Sequence, residues 1–79
     1  MTQPTPLEQS VRDQLDRYFD DLGDSSPRNL LNMVITCVER PVLEAVLERT
    51  GGNQTRAAEM LGITRNTLRR KLQSYDLHP

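Results

Sequence analysis

Residues 53–75 carry a pattern that few folds can accommodate, two short helical segments separated by a tight turn. Asn53 and Thr64 stand where their side chains can accept hydrogen bonds from the first free N–H groups of each helix. Gly62 can take the left-handed conformation that ends the first helix. The apolar residues available to join the two helices are Ala58, Leu61, Ile63, Leu68 and Leu72. The segment therefore predicts a helix-turn-helix whose second helix runs from about Arg65 to Tyr75.

Charge is divided unevenly between the two parts of the chain. Residues 1–50 hold five basic and nine acidic residues, whereas residues 51–79 hold five basic and two acidic ones, which gives balances of −4 and +3 within a net charge of −1. In helix-turn-helix proteins the second helix usually lies in the DNA major groove. The side chains expected to face outward on this helix are Arg65, Asn66, Arg69, Arg70 and Lys71. The pattern predicts binding to double-stranded DNA through the basic end, because the acidic part repels phosphate.

A first helix is predicted over about residues 6–22. Thr5 is a typical N-cap, Pro6 suits the first helical position and Glu8 completes a capping box. Polar residues surround a stripe of apolar residues at helical spacing, which consists of Leu7, Val11, Leu15, Phe19 and Leu22. Gly23 is expected to end this amphipathic helix.

A longer and more apolar helix is predicted over about residues 27–50, because Ser26-Pro27 repeats the order of a cap followed by proline. Pro41 lies inside this pattern and removes one helical hydrogen bond, so either one helix kinks there or two helices meet there. We favour one kinked helix, because the apolar stripe from Val38 to Val46 continues through the proline. Gly51-Gly52 is expected to end this helix.

This second helix is apolar on several sides, so one short partner helix cannot cover it. A monomer of 79 residues also buries too little surface to be comfortably stable. We therefore predict an all-α fold with four helices per chain, in which residues 1–50 form an intertwined two-fold dimer and residues 51–79 form the helix-turn-helix. The residues predicted for the dimer core are Leu15, Phe19, Leu31, Val34, Ile35, Val38, Val42 and Val46.

The sequence contains no pattern typical of an enzyme active site or a cofactor site. The single cysteine, Cys37, allows no disulfide within the chain and is expected to be a small buried apolar residue. Cys37, His78 and the scattered acidic residues do not have the spacing of metal ligands. No nucleophile–base pair, phosphate-binding glycine loop, secretory signal or membrane-spanning run is recognised. We expect a cytoplasmic protein that is not an enzyme, needs no cofactor or metal and does not bind membranes.

The segment GGNQTRAAEMLGITRNTLRRKLQSY resembles the C-terminal part of the Fis family, the bacterial nucleoid-associated factors for inversion stimulation. An upstream amphipathic helix followed by a longer one with the ERPVLEAVL stretch is also similar, so the likeness covers about residues 7–77. The resemblance implies a homodimer whose two recognition helices lie closer together than one turn of straight DNA. DNA must then bend to contact both, at degenerate sites with AT-rich centres. The resemblance also implies roles in nucleoid organisation and transcription regulation.

The resemblance also assigns DNA contacts to individual positions. Arg65, Arg70 and Thr64 are expected to contact bases, with Thr64 near the centre of the site and Arg70 at a base edge or a phosphate nearby. The residues expected to hold phosphates are Asn53, Thr55, Arg56, Thr67, Arg69 and Lys71. Thr64 stands where Fis proteins often have asparagine, and Gln73 and Ser74 replace residues that are often basic. Base preference at the centre and contacts to flanking DNA are therefore expected to differ from those of other members.

Fis proteins that stimulate site-specific DNA inversion carry a β-hairpin arm before the first helix. Only about four residues precede the helix cap in this sequence, so recombination-enhancer activity is not expected. Two alternatives stay open at this point. One is a free-standing counterpart of the Fis-type DNA-binding tail of enhancer-dependent activators, and the other is a helical interaction adaptor that does not bind nucleic acid. The sequence also leaves contact with RNA polymerase open.

Overall fold

The computed structural model describes residues 3–78, which form four helices and no strand. The helices are α1 (Pro6–Leu22), α2 (Leu30–Arg49), α3 (Gln54–Leu61) and α4 (Arg65–Ser74). This arrangement confirms the predicted all-α fold, with α3 and α4 forming the helix-turn-helix. Met1, Thr2 and Pro79 lie outside the described residues, so the predicted ranges 1–50 and 51–79 extend slightly beyond them.

Helix α1 begins and ends where the sequence predicts. The Thr5 hydroxyl oxygen accepts a hydrogen bond from the Glu8 N–H (3.1 Å), and the Glu8 carboxylate accepts one from the Thr5 N–H (3.3 Å). These two bonds are the reciprocal pair of a capping box. Gly23 ends the helix with a positive φ of 63°. No residue of α1 is buried, so this helix contributes little to a core within its own chain.

Helix α2 begins at Leu30, so the predicted start at residue 27 is wrong. Asn29 has φ 55° and ψ 33°, a left-handed conformation that asparagine tolerates but that cannot form part of a right-handed helix. The helix can therefore start only after this residue, and Ser26-Pro27 belongs to the preceding loop. From there α2 continues through Pro41 without a break, which confirms one helix rather than two.

The hydrophobic core joins the helix-turn-helix to the second half of α2. Its buried members are Leu43 and Leu47 of α2, Ala57 and Ala58 of α3, and Leu68 and Leu72 of α4. Gly51 and Gly52, with φ values of 60° and 81°, turn the chain between α2 and α3 so that these side chains can meet. The core crosses the boundary predicted at residue 50. Helix α2 therefore supports the helix-turn-helix while its first half carries the exposed apolar face.

Many apolar side chains of α1 and the first half of α2 are exposed. Leu31 is 73% exposed, Ile35 50% and Phe19 43%, and Cys37, which we expected to be buried, is exposed as well. The chain exposes 6509 Å², whereas a compact protein of 9.0 kDa exposes about 4,900 Å². Its radius of gyration is 15.4 Å, against about 12 Å for a compact domain of this length. A single chain therefore exposes about a third more surface than its mass requires.

Candidate nucleic-acid interface

The turn between α3 and α4 is closed by backbone and side-chain caps. Gly62 takes a left-handed conformation (φ 74°, ψ 30°) and its N–H donates to the Ala58 carbonyl at 2.9 Å. The Thr64 hydroxyl oxygen accepts from the Thr67 N–H (3.1 Å), and the Thr64 O–H donates to the Thr67 hydroxyl oxygen (2.8 Å). These bonds confirm the predicted stop and start of the two helices.

The Thr64–Thr67 hydroxyl pair keeps hydrogen-bonding capacity for DNA. The two hydroxyls share one hydrogen bond that either can donate by rotating, so one hydroxyl proton and further lone pairs remain for a base or a phosphate oxygen. The expected roles of Thr64 near bases and of Thr67 at phosphate stay predictions, and the geometry is compatible with both.

Three arginines form the exposed basic face of α4. Arg65, Arg69 and Arg70 are all exposed, and no described residue makes an ion pair with any of them. Arg65 and Arg69 are four residues apart and so share one side of the helix, while Arg70 lies further round. Leu68 and Leu72 face the core from the other side of α4, and Leu68 is completely buried. The face is therefore held at a fixed orientation by the packing behind it.

The N-terminus of α3 provides a second set of polar groups. The Asn53 side-chain oxygen accepts a hydrogen bond from the Arg56 N–H at 3.1 Å, which confirms the predicted cap. The side chains of Thr55 and Arg56 are exposed beside it. The first N–H groups of a helix together with a nearby arginine favour the binding of an anion. Asn53, Thr55 and Arg56 are thus brought together, as their expected role at phosphate requires.

Lys71 differs from the other cations of α4 because it contacts α2. Its ammonium lies 3.0 Å from the Glu39 carboxylate, and that carboxylate also accepts a hydrogen bond from the Tyr75 hydroxyl at 2.9 Å. The neighbouring Arg40 guanidinium donates to the Tyr75 carbonyl oxygen at 3.0 Å. We call Glu39, Arg40, Lys71 and Tyr75 the Glu39 cluster. It fixes the C-terminal end of α4 to the middle of α2.

The charges of the Glu39 cluster stabilise one another. The hydrogen bond from Lys71, followed by that from Tyr75, lowers the pKa of the Glu39 carboxyl below its ordinary value of 4.5. Partial burial raises the pKa of the Tyr75 hydroxyl, and its hydrogen bond to the Glu39 carboxylate raises it further. Glu39 is therefore ionised and Tyr75 protonated at neutral pH, which is the pairing that the observed hydrogen bonds require.

Sequence reasoning expected Lys71 to face outward with the arginines, whereas the structure pairs it with Glu39. It also missed Glu39, Arg40 and Tyr75. The part of α2 before Pro41 contains two charged residues, Glu39 and Arg40, which interrupt its apolar run. This interruption is the one signal in the sequence that these two residues have a specific role. The pattern does not reveal their partners, because more than thirty residues separate them from Lys71 and Tyr75.

Neither a metal site nor a membrane-spanning helix is found within residues 3–78. No group of three or more His, Cys, Asp or Glu side chains in this range is arranged to hold a metal ion. None of the helices there combines the length and apolar character needed to cross a membrane.

Comparisons with known proteins agree on one family. Residues 35–75 match the family described as "Bacterial regulatory protein, Fis family". The chain is 50% identical over 72 residues to a Fis-like DNA-binding protein of Ralstonia nicotianae, covering 91% of this chain and 94% of that protein. It is 45% identical over 71 residues to a Fis-like DNA-binding protein of Neisseria meningitidis serogroup A, covering 90% of each. It is also 45% identical over 73 residues to the DNA-binding protein Fis of Proteus mirabilis, covering 92% of this chain and 74% of that protein. The chain therefore belongs to the Fis family of bacterial regulatory proteins.

Proposed function

We propose that this chain is a homodimeric DNA-binding protein that bends the DNA it binds and acts in nucleoid organisation and transcription regulation in the bacterial cytoplasm. Membership of a family of regulatory proteins makes it a regulator and not an enzyme. The observation that carries the proposal is the exposed basic face of α4, the second helix of a helix-turn-helix. In this fold that helix enters the major groove.

Each polar residue of the interface has a role that suits its chemistry. Arg65 at the start of α4 contacts a base edge, because a guanidinium can donate two parallel hydrogen bonds to O6 and N7 of guanine. Arg70 reaches a base edge or a phosphate next to it, and Thr64 meets the central bases. The residues proposed to hold phosphates are Asn53, Thr55, Arg56, Thr67 and Arg69, and Lys71 joins them when its ammonium leaves the Glu39 carboxylate. The acidic surface of α1 faces away from the duplex, because the repulsion between carboxylates and phosphates favours this orientation.

A second copy of the chain covers the exposed apolar face. The surface in excess of a compact protein of this mass is about 1,600 Å² per chain, or about 3,200 Å² for two chains. Obligate homodimers bury roughly 2,000–5,000 Å² in total, so pairing of two chains can account for the whole excess. The residues proposed for the dimer core are Leu15, Phe19, Leu31, Val34, Ile35, Val38, Val42 and Val46. Of these, Val46 is partly buried against the core of its own chain.

Bending of DNA follows if the two recognition helices are held at a gap that straight DNA does not match. The apolar core and the Glu39 cluster fix α4 to α2 within each chain. The crossing of the two α2 helices in the dimer then sets the separation of the two α4 helices. A separation below about 34 Å, one turn of straight B-form DNA, requires the duplex to bend so that successive major grooves meet both helices.

Gel-shift experiments with circularly permuted fragments that carry an AT-rich site test binding and bending together. A bent complex migrates most slowly when the site lies at the middle of the fragment. We expect this position dependence with the purified full chain. A shifted complex whose mobility is the same for every permutation would contradict bending, while the absence of any complex would contradict DNA binding itself.

A salt titration distinguishes this proposal from a helical adaptor without affinity for nucleic acid. At least two arginines per chain, Arg56 and Arg69, neutralise phosphates. The logarithm of the binding constant should therefore fall against the logarithm of salt concentration with a slope of about −3.6 or steeper for the dimer. A flat response would contradict the phosphate contacts and favour the adaptor.

A further inference from the structure

Among residues 3–78, one of the four cations on α4 makes an ion pair, whereas the other three do not. The Lys71 side chain is 35% exposed and the Glu39 side chain 27% exposed, with 3.0 Å between the ammonium nitrogen and the carboxylate oxygen. Arg65, Arg69 and Arg70 are exposed and make no ion pair with any residue that the structure describes. A phosphate that approaches α4 therefore meets one lysine that already has an ion-pair partner and three arginines that have none among the described residues.

We propose that Glu39 is a positioning residue that competes with DNA phosphate for Lys71, so that the protein withholds one cation per chain from sequence-independent binding. This inference rests on the proposed DNA-binding function. A lysine ammonium is a compact point charge that contacts any nearby anion. Since phosphate contacts carry no direct sequence information, a carboxylate that occupies Lys71 lowers affinity for every duplex.

The partly exposed position of the pair makes this competition possible. A fully buried pair would not separate, because each charge left behind would be strongly destabilised. At the observed exposure water reaches both side chains, so the ammonium can leave the carboxylate at moderate cost. An approaching phosphate must therefore replace a formed ion pair at Lys71, while at Arg69 it replaces only water.

Release of Lys71 from Glu39 does not change the position of α4, because the other contacts of the Glu39 cluster remain. The Tyr75 hydroxyl still donates to Glu39, and Arg40 still donates to the Tyr75 carbonyl oxygen, if Lys71 turns away. Leu68 and Leu72 also keep α4 packed against the core. The charge of Glu39 can therefore be removed without detaching the recognition helix.

The substitution Glu39→Gln in the full-length chain tests the proposal. The amide oxygen still accepts from Tyr75, but the negative charge that holds Lys71 is lost. For a duplex of random sequence, the slope of the logarithm of the binding constant against the logarithm of salt concentration should become more negative by up to about 1.8 for the dimer. Each chain gains one phosphate contact, and each contact contributes about 0.9 to this slope. This steepening should vanish in the double variant E39Q/K71Q, since no ammonium is left to release.

Two further variants keep the experiment decisive. Glu48→Gln removes the same charge from an exposed position of α2 that lies outside the Glu39 cluster, so it should leave the slope unchanged. In the chain that retains Glu39, Lys71→Gln should flatten the slope by much less than Arg69→Gln, which should flatten it by about 1.8. This comparison holds even if Glu39→Gln disturbs folding.

Three results would overturn the proposal. The slope of Glu39→Gln could equal that of the unaltered chain, its steepening could persist in E39Q/K71Q, or Lys71→Gln could flatten the slope as much as Arg69→Gln. In each case the unaltered chain would still bind DNA with a steep salt dependence. Failure of the proposed function itself is recognised differently, because the unaltered chain would then show no binding or a flat response.

Discussion

The substitution Ile35→Glu should dissociate the dimer, and the structure gives the scale of the effect. Five residues proposed for the dimer core have large exposed fractions, which are Phe19 (43%), Leu31 (73%), Ile35 (50%), Val38 (38%) and Val42 (43%). Together these fractions correspond to about two and a half fully exposed side chains. Burying them contributes about 4–7 kcal/mol per chain, or about 7–15 kcal/mol per dimer. A micromolar dimer needs about 8 kcal/mol beyond an association cost of about 4–15 kcal/mol, so burial of the remaining apolar surface of α1 and α2 has to add to the contribution of these five residues.

Ile35 lies near the middle of this face and occurs twice in a two-fold dimer. Its replacement by glutamate loses about 0.8–1.5 kcal/mol of apolar burial per chain, and it also places an unpaired carboxylate in an apolar interface at a cost of several kcal/mol. The total for two copies is at least about 5 kcal/mol, which is more than a thousandfold in the dissociation constant. Sedimentation equilibrium over nanomolar to micromolar concentrations should show this change directly. Melting temperature should also rise with protein concentration for the unaltered chain, because folding is linked to association.

Met60→Glu is the matched control for this experiment. Met60 is 58% exposed, belongs to α3 and is not one of the residues proposed for the dimer core. The same change of charge there should alter stability by about 0.5 kcal/mol or less and leave the dimer intact. The reasoning would be refuted if the two variants dissociated to the same extent, if Ile35→Glu remained as tight as the unaltered chain, or if the unaltered chain were a folded monomer at nanomolar concentration.

Three further predictions address the interface and its support. Arg65→Ala should weaken binding to a preferred site by roughly 1–3 kcal/mol and relax sequence preference, whereas an equal loss on random DNA in a competition assay would reduce Arg65 to a phosphate contact. Leu68→Ala, at a completely buried position, should lower the free energy of unfolding in urea by about 2–5 kcal/mol, and a loss well under 1 kcal/mol would show that α4 is not packed as described. Because the pKa of Glu39 is lowered in the folded chain, its contribution to stability should be present above its ordinary value of 4.5 and disappear as pH falls through the lowered value. The pH dependence of unfolding should therefore be weaker in Glu39→Gln, and identical curves for the two proteins would contradict this assignment.

Three of the four helix starts, which depend on residues within one helical turn, were predicted correctly from the sequence, as was the stop at Gly62. The Thr5–Glu8 capping box, the caps at Asn53 and Thr64, and the stop at Gly62 all involve partners three or four residues apart. Such bonds form wherever the local chain adopts a helix, so the residue types and their spacing are sufficient to locate them.

The start of α2 shows where local rules conflict. Ser26-Pro27 has the residue types of a helix start, but Asn29 adopts a left-handed conformation and delays the helix to Leu30. Serine followed by proline is compatible with a loop as well as with a helix start, and asparagine is among the few residues other than glycine that tolerate a positive φ. The residue types therefore permit both outcomes, and local rules alone do not decide between them.

The Glu39 cluster could not be predicted because it depends on tertiary structure. Lys71 was expected to face outward with the arginines, since its position in the sequence of α4 does not reveal that α2 passes beside it. Glu39 is thirty-two residues away from Lys71, and their contact requires the turn at Gly51 and Gly52 to bring the middle of α2 against the end of α4. A helical pattern assigns side chains to faces of one helix, but it does not identify the neighbours of those faces.

The same packing holds α4 firmly while it leaves the apolar face of α1 and the first half of α2 uncovered. The buried core and the Glu39 cluster both lie between α2 and the helix-turn-helix, so the stabilising contacts of the chain are concentrated at the end that we propose binds DNA. No residue of α1 is buried, and the first half of α2 exposes its apolar side chains. If the second chain supplies the missing burial, folding and dimer formation become one event, because the exposed face is too large to be stable in water. A dimer formed in this way would fix the distance between the two α4 helices. The DNA would then have to bend to contact both helices, and the free energy of bending would depend on how easily its sequence deforms.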